Sequence, residues 1–190
     1  MEKTKSNSFL QTALIGLKLL LICAIIAGLV SFVYAVTNDT YAQNIKGTKE
    51  EAVGRIFGKG GRLPYEELRS TDAATVSAVF DGGTLLGYCV EVKSAGFGGD
   101  IELMVGYLAD GSILGVDVVS HSETPGLGSK SAEPAYLEKY VGKTGTLIAN
   151  EDVDMIAGAS VTSKAVLAGV NQATAALSEA IASTEGGAAQ

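Results

Sequence analysis

Residues 19–36 are apolar throughout except for Ser31, and Lys18 is the sole charged residue between Phe9 and Val36. A helix crosses the hydrocarbon core of a bilayer with about 20 such residues, each advancing roughly 1.5 Å. The run therefore divides the chain into a short N-terminal piece and a long remainder. Lys3 and Lys5 precede it, whereas Thr37, Asn38, Asp39 and Thr40 follow it. Positive charge stays on the cytoplasmic side, so the N-terminus is expected inside and Asp39 onward outside. A cleaved signal peptide is the alternative, because Val33, Tyr34 and Ala35 loosely fit a cleavage site. The apolar region of a signal peptide runs about 7–15 residues, however, and this one is longer, which favours a retained anchor.

Beyond residue 35, 155 of the 190 residues remain, enough for one core and too few for two large catalytic domains. That remainder holds eleven Lys and Arg against twenty Asp and Glu, a net charge of −9, which argues against a nucleic-acid partner. Cys23 lies in the apolar run and Cys89 in an expected strand, so the membrane surface keeps them apart. With no ligand-spaced cysteine pair and one histidine, the chain is a poor candidate for its own zinc or iron–sulfur site. Any redox chemistry would come from a bound organic cofactor.

Along the chain, residues 46–58 read as a short helix, with Thr48 and Glu51 forming a capping box and Gly58 a stop. A glycine-rich loop follows, ending at Pro64. Residues 75–80, 85–92, 101–108 and 113–119 read as strands, and turns at Asp81, Gly82 and Gly83 and at Asp110 and Gly111 make two hairpins the economical reading. Residues 94–100 form the loop between the hairpins. A short helix is expected over residues 133–140. A long one is expected over 162–182, with Val166, Leu167, Val170, Ala173, Leu177 and Ile181 on one face. A small antiparallel sheet with flanking helices, behind a single N-terminal membrane helix, is an α+β protein.

The glycines do not build a nucleotide loop. Ile101 and Ser131 stand where the third glycine of a dinucleotide fingerprint belongs, and neither stretch leads from a strand into a long helix. The sequence Gly158-Ala159-Ser160-Val161-Thr162-Ser163-Lys164 lacks the second glycine of a P-loop. His121 beside Ser122, Glu123 and Thr124 tempts a hydrolase reading, but adjacent residues rarely face one another as a triad requires, and a hydrogen-bonded loop histidine is the plainer reading. Pro125, Gly126, Leu127 and Gly128 force a tight turn whose N–H groups can face a planar or anionic ligand. Before the last helix, Ser160, Thr162 and Ser163 can each cap the first-turn N–H groups. Equally, a hydroxyl there, beside small residues, is a good place to hold a phosphate. Sequence physics alone does not choose between these.

The stretch from Asp154 through Ala157, Gly158 and Ala159 to Ser160 resembles a flavinylation motif in which the last hydroxyl carries FMN through a phosphoester bond. Gly96, Phe97, Gly98 and Gly99 with Asp100 and Ile101, and His121 through Gly128, resemble the two other signature loops of one family. It is the FMN-binding domain shared by the G subunit of the Rnf complex and the C subunit of the sodium-pumping NADH:quinone reductase. All three come in the family's order on a chain with the family's single anchor, and length favours the Rnf protein. Ala157 stands where Ser or Thr is usual and Ser160 where Thr is usual.

The resemblance implies a flavin-bearing electron carrier in a membrane complex coupling ferredoxin:NAD electron transfer to sodium or proton movement, with no turnover of its own. It implies FMN on Ser160, installed by a separate flavin transferase that recognises Asp154, and Thr162 as the fallback acceptor. Gly96–Gly99, Glu123–Gly128, Ala157–Ala159, Val161 and Thr162 would form one cleft, with Glu123, Thr124 and Leu127 against the ring or its ribityl chain and Lys164 near the phosphate. The implied organisation is a cytoplasmic start over residues 1–8, a membrane helix over 9–36, a helical or loop connector over 37–73, an extracytoplasmic FMN-binding domain over 74–183 and a flexible tail over 184–190. A membrane-tethered, non-redox ligand-binding module and an FMN subunit of another membrane reductase are the alternatives. The orientation has a direct test. A reporter that works only in the cytoplasm, fused after Gln190, should be inactive, and activity there would reverse it.

Overall fold

The structure is a computed structural model that describes residues 3–187, with side chains described over 14–34 and 45–183. Helix α1, Lys3–Ile56, opens the chain. Within it Leu14–Tyr34 has a mean hydropathy of 2.5 and is exposed along its length, so by length and composition it can cross a membrane. The side chains of Lys3 and Lys5, and residues 188–190 of the expected tail, lie outside the described residues. The chain separates into two compact units, one ending at Lys46 and the other beginning at Gly47.

No helix starts at residue 46. The expected capping box at Thr48 and Glu51 is overturned, because these residues continue α1. A box forms where N–H groups have lost their partners, and inside a continuing helix each donates to the carbonyl four residues back. Glu51 accepts instead from Arg62 Nε at 3.2 Å, and Gly47 leaves room for that guanidinium, whose Nη2 lies 2.8 Å from where a Cβ would stand.

In the second unit, strands β1 (Tyr65–Ser70), β2 (Ala74–Asp81), β3 (Thr84–Ala95), β4 (Asp100–Tyr107) and β5 (Ile113–Ser120) form one antiparallel sheet in sequential order. The two expected hairpins are thus one meander. β1 lies inside the stretch read as a connector. It was missed because it is an edge strand whose Glu66, Glu67 and Arg69 are exposed, so it shows no apolar alternation while its charges guard the edge. β3 runs past Val92, the expected end, because Lys93 pairs with Glu102 across the ladder at 2.7 Å.

Both faces of the sheet are covered. On one, α3 (Ser160–Gly187) lays Ala165, Val166, Val170, Ala173 and Leu177 on Val76, Val90, Val92, Leu103 and Val105. The approach is close, since a Cβ on Gly169 would meet Leu103 Cδ1. Ser94 Oγ donates to Ala165 O at 2.7 Å, and the Tyr107 and Thr174 hydroxyls lie 2.9 Å apart, which fixes the helix along the strands. On the other face Ala52 and Val53 from the end of α1 pack with Leu63, Val79, Cys89 and Met104. The expected short helix is one turn, α2 (Pro134–Leu137), continued by a 3₁₀ turn, Glu138–Tyr140. Leu103, fully buried between β4 and α3, provides the test of this core. Leu103→Ala should lower the unfolding free energy of the detergent-solubilised chain by about 2–5 kcal/mol, read from denaturant melting.

Candidate functional site

Three segments meet at one end of the sheet. The first is the tip of the β3–β4 hairpin, residues 96–99, closed by a hydrogen bond from Gly96 N–H to Gly99 O at 2.9 Å. The second leaves β5 as an extended stretch and turns at Gly126, which has φ +75° as a left-handed turn requires. Thr124 O accepts there from Leu127 and Ser129 N–H, both at 3.2 Å. The third is the start of α3, entered through Gly158 at φ +82°.

Phe97, Glu123, Thr124, Leu127, Gly128 and residues 158–162 line a cleft of about 270 Å³ between them. Glu123, 6% exposed, has its carboxylate inside this junction. Oε1 accepts from Phe97 N–H at 2.8 Å and Gly98 N–H at 2.9 Å, and Oε2 accepts from the Thr162 hydroxyl at 2.6 Å. The largest influence on its pKa is burial, which pushes the carboxyl up. The bonds from Thr162, Gly98 and Phe97, with His121 nearby, pull it down further, so the net displacement is below the ordinary carboxylate value. His121 is exposed, and its Nδ1 accepts from Glu123 N–H at 3.2 Å, as the plain loop-histidine reading has it.

The hydroxyls in the first turn of α3 do not cap it in the expected way. Thr162, 3% exposed, donates to Glu123. Ser163 Oγ accepts from Ile156 N–H at 3.2 Å, donates to Ala159 O at 3.0 Å, and lies 3.1 Å from Ser131 Oγ. This buried serine pair pins the turn that precedes α3. Ser163 stood among the hydroxyls singled out from the sequence, whereas Ser131 stood out only as a break in a dinucleotide fingerprint. Ser160, the first residue of α3, is exposed at the cleft.

Other expected residues stand behind or outside the cleft. Gly96, Gly98 and Gly99 support Phe97 from behind: a Cβ at Gly96 would strike the Glu123 carboxylate, and one at Gly98 the Ser122 carbonyl. Pro125 and Gly126 form the exposed outer turn, and Ala157 and Lys164 are exposed and do not line the cleft. Asp154 is also outside, its side chain 85% exposed and 4.0 Å from Lys139 Nζ.

The lining suits a flat ligand with an anionic tail. Phe97, 74% exposed, stands at the lip with Leu127 and Val161, also exposed, as apolar surface for a ring. Thr124 and Ser160 supply hydroxyls, and the N–H groups at the start of α3 favour a phosphate. These residues fit a flavin mononucleotide.

Residues 96–175 match the family model for the FMN-binding domain, from the glycine loop into α3, so the whole cleft falls within the match. The G subunit of the proton-translocating ferredoxin:NAD(+) oxidoreductase complex of Clostridium ljungdahlii is 33% identical over 99 residues, covering 48% of this chain and 54% of the relative. The G subunit of the Na(+)-translocating complex of Acetobacterium woodii is 33% identical over 100 residues, covering 47% and 48%. The chain spans about half the length of these curated relatives. The crystal structure of NqrC from Shewanella oneidensis is 30% identical, with 53% of each chain covered and a TM-score of 0.44.

A depressed folded pKa means that Glu123 adds stability in full above its ordinary value and loses it as pH falls through the folded value. Glu123→Gln should therefore flatten part of the acid-side decline in the melting temperature of the full chain between neutrality and about pH 3. An identical decline in the variant would contradict the ionised carboxylate.

Proposed function

We propose that this chain is the FMN-bearing, electron-carrying subunit of a membrane complex that couples electron transfer between ferredoxin and NAD to ion movement. Its FMN-binding domain lies outside the cytoplasm, behind the single anchor at Leu14–Tyr34. The observation that carries the reading is the placement of Ser160, an exposed hydroxyl on the first residue of α3, at the edge of a cleft whose other walls suit a flavin. The two G-subunit relatives, equally identical to this chain, are named for proton and sodium translocation respectively, so either ion fits.

FMN, when bound, would supply an acceptor for one or two electrons. The protein's part is attachment, orientation and shielding. Ser160 is the acceptor of a phosphoester formed by a separate flavin transferase from FAD: the Ser160 oxygen bonds to the FMN phosphorus, the diphosphate bridge breaks and AMP leaves. Ala157, Gly158 and Ala159 carry no bulk that would keep the transferase from the hydroxyl. Asp154, exposed and outside the cleft, is free to be read by that enzyme. The phosphodiester keeps one negative charge, which the start of α3 favours by about 0.3–1 kcal/mol. Phe97, Leu127 and Val161 would offer apolar surface to the ring, which other members of the complex would reach for electron exchange.

Intact mass and ultraviolet fluorescence of the denatured band test the attachment. The wild-type chain, expressed with a flavin transferase, should carry one FMN phosphoester, and Ser160→Ala should lack it. Ser160→Thr should keep it, and so should Thr162→Ala, because the Thr162 hydroxyl is buried. A flavin that survives denaturation in Ser160→Ala protein would move the acceptor elsewhere.

A further inference from the structure

The Glu123 carboxylate touches the other two walls of the cleft, through Phe97 N–H and Gly98 N–H on the hairpin tip and the Thr162 hydroxyl on α3. Space is kept for it. A Cβ on Gly128 would lie 2.6 Å from Oε2 and 2.9 Å from Thr162 Oγ1, and one on Gly96 would collide with Oε1. None of the residues lining the cleft is basic. The negative charge is therefore balanced by the hydrogen-bond donors themselves, by the dipole of α3 and by His121 nearby.

We propose that Glu123 is the positioning residue of the cleft, fastening the glycine loop to the first turn of α3 and holding a fixed negative charge in the wall that lowers the midpoint potential of the flavin. This rests on the flavin reading above. All three donors are spent on the carboxylate from within the protein, so Glu123 acts through position and charge and does not pass a proton to the ligand. Each electron delivered by a redox centre of a partner protein adds negative charge to the ring. A carboxylate held ionised in the same low-dielectric wall opposes that addition. Glutamine at this position keeps the shape: its amide oxygen accepts from Phe97 and Gly98, and its NH₂ donates to the Thr162 oxygen. Only the charge is lost.

The test uses the full-length, flavin-loaded chain in detergent, with two readouts: midpoint potential by spectroelectrochemical titration at fixed pH, and amide hydrogen exchange at Phe97 and Gly98. Glu123→Gln should raise the potential while both amides stay protected. Glu123→Ala should speed their exchange by roughly tenfold or more, because each loses a charge-assisted hydrogen bond. Thr162→Val removes a donor and keeps the charge, so its potential should stay at or below that of the wild type. General loosening of the cleft would move the Glu123→Gln and Thr162→Val potentials in the same direction. The proposal is overturned if Glu123→Gln leaves the potential unchanged or lowers it, if Thr162→Val raises it as Glu123→Gln does, or if Glu123→Ala leaves both amides exchanging at the wild-type rate. A wild-type chain that takes up no flavin would overturn the proposed function and the claim about potential, and the exchange rates measured without flavin would still decide the fastening.

Discussion

A carboxylate taken out of water must find donors or give up its charge, and the cleft is organised around one that has found them. Glu123 receives two backbone N–H groups from a hairpin tip 25 residues or more away in sequence and a hydroxyl from a helix 39 residues on. Left without that acceptor, Phe97 and Gly98 would each hold a partly buried N–H facing no partner, at a cost of about 1–3 kcal/mol apiece. The same demand explains the glycines around it. At positions 96 and 128 a Cβ would occupy the volume the carboxylate fills, and at 98 it would push the Ser122 carbonyl away. Glycine is dense here because an acid must approach backbone closely, which differs from the reason a phosphate loop needs it.

Such a junction keeps its shape only if its parts are held on rigid elements. The glycine tip closes the β3–β4 hairpin, whose Val90, Val92, Leu103 and Val105 sit in the core beneath α3. Ser94 lies two residues before the tip and bonds the Ala165 carbonyl, so the hairpin end and the first turns of α3 are joined directly. Ser163, bonded to Ile156 and Ala159 and beside Ser131, holds the turn before the helix from the opposite side. Placement of Ser160 therefore follows from packing at several points and not from its own side chain.

Period and turn chemistry are local, and where they govern, the sequence was legible. The apolar run in α1, the β-rich runs between turns that form β2 to β5 and the apolar stripe of α3 follow from residue type and spacing alone. β1 escaped because edge strands carry charges outward and need no apolar alternation, and Thr48 misled because a capping box has the same residues whether or not a helix begins there. In the cleft, the three segments could be named from their glycines and hydroxyls, since those are unusual in themselves. The partner of each group could not. Glu123 read as a ligand contact, yet its oxygens are turned toward the protein, and Thr162 and Ser163 read as caps, yet they serve a carboxylate and a preceding turn. Pairings across 25 to 39 residues of chain are fixed by the folded sheet, which no local pattern encodes.

The choice between the two hydroxyls at the start of α3 comes down to helix geometry. Residues two apart are separated by about 200° around a helix, so they point to nearly opposite sides. Thr162 turns inward, where its hydroxyl donates to Glu123 in the space that Gly128, lacking a side chain, leaves open. Ser160 must then turn outward, and it is exposed. An enzyme that modifies a folded chain reaches only the outer of the two, and Ala157 and Gly158 beside it place no side chain in the way. The interaction that closes the inner wall of the cleft thus also presents the outer hydroxyl, the one we propose as the acceptor.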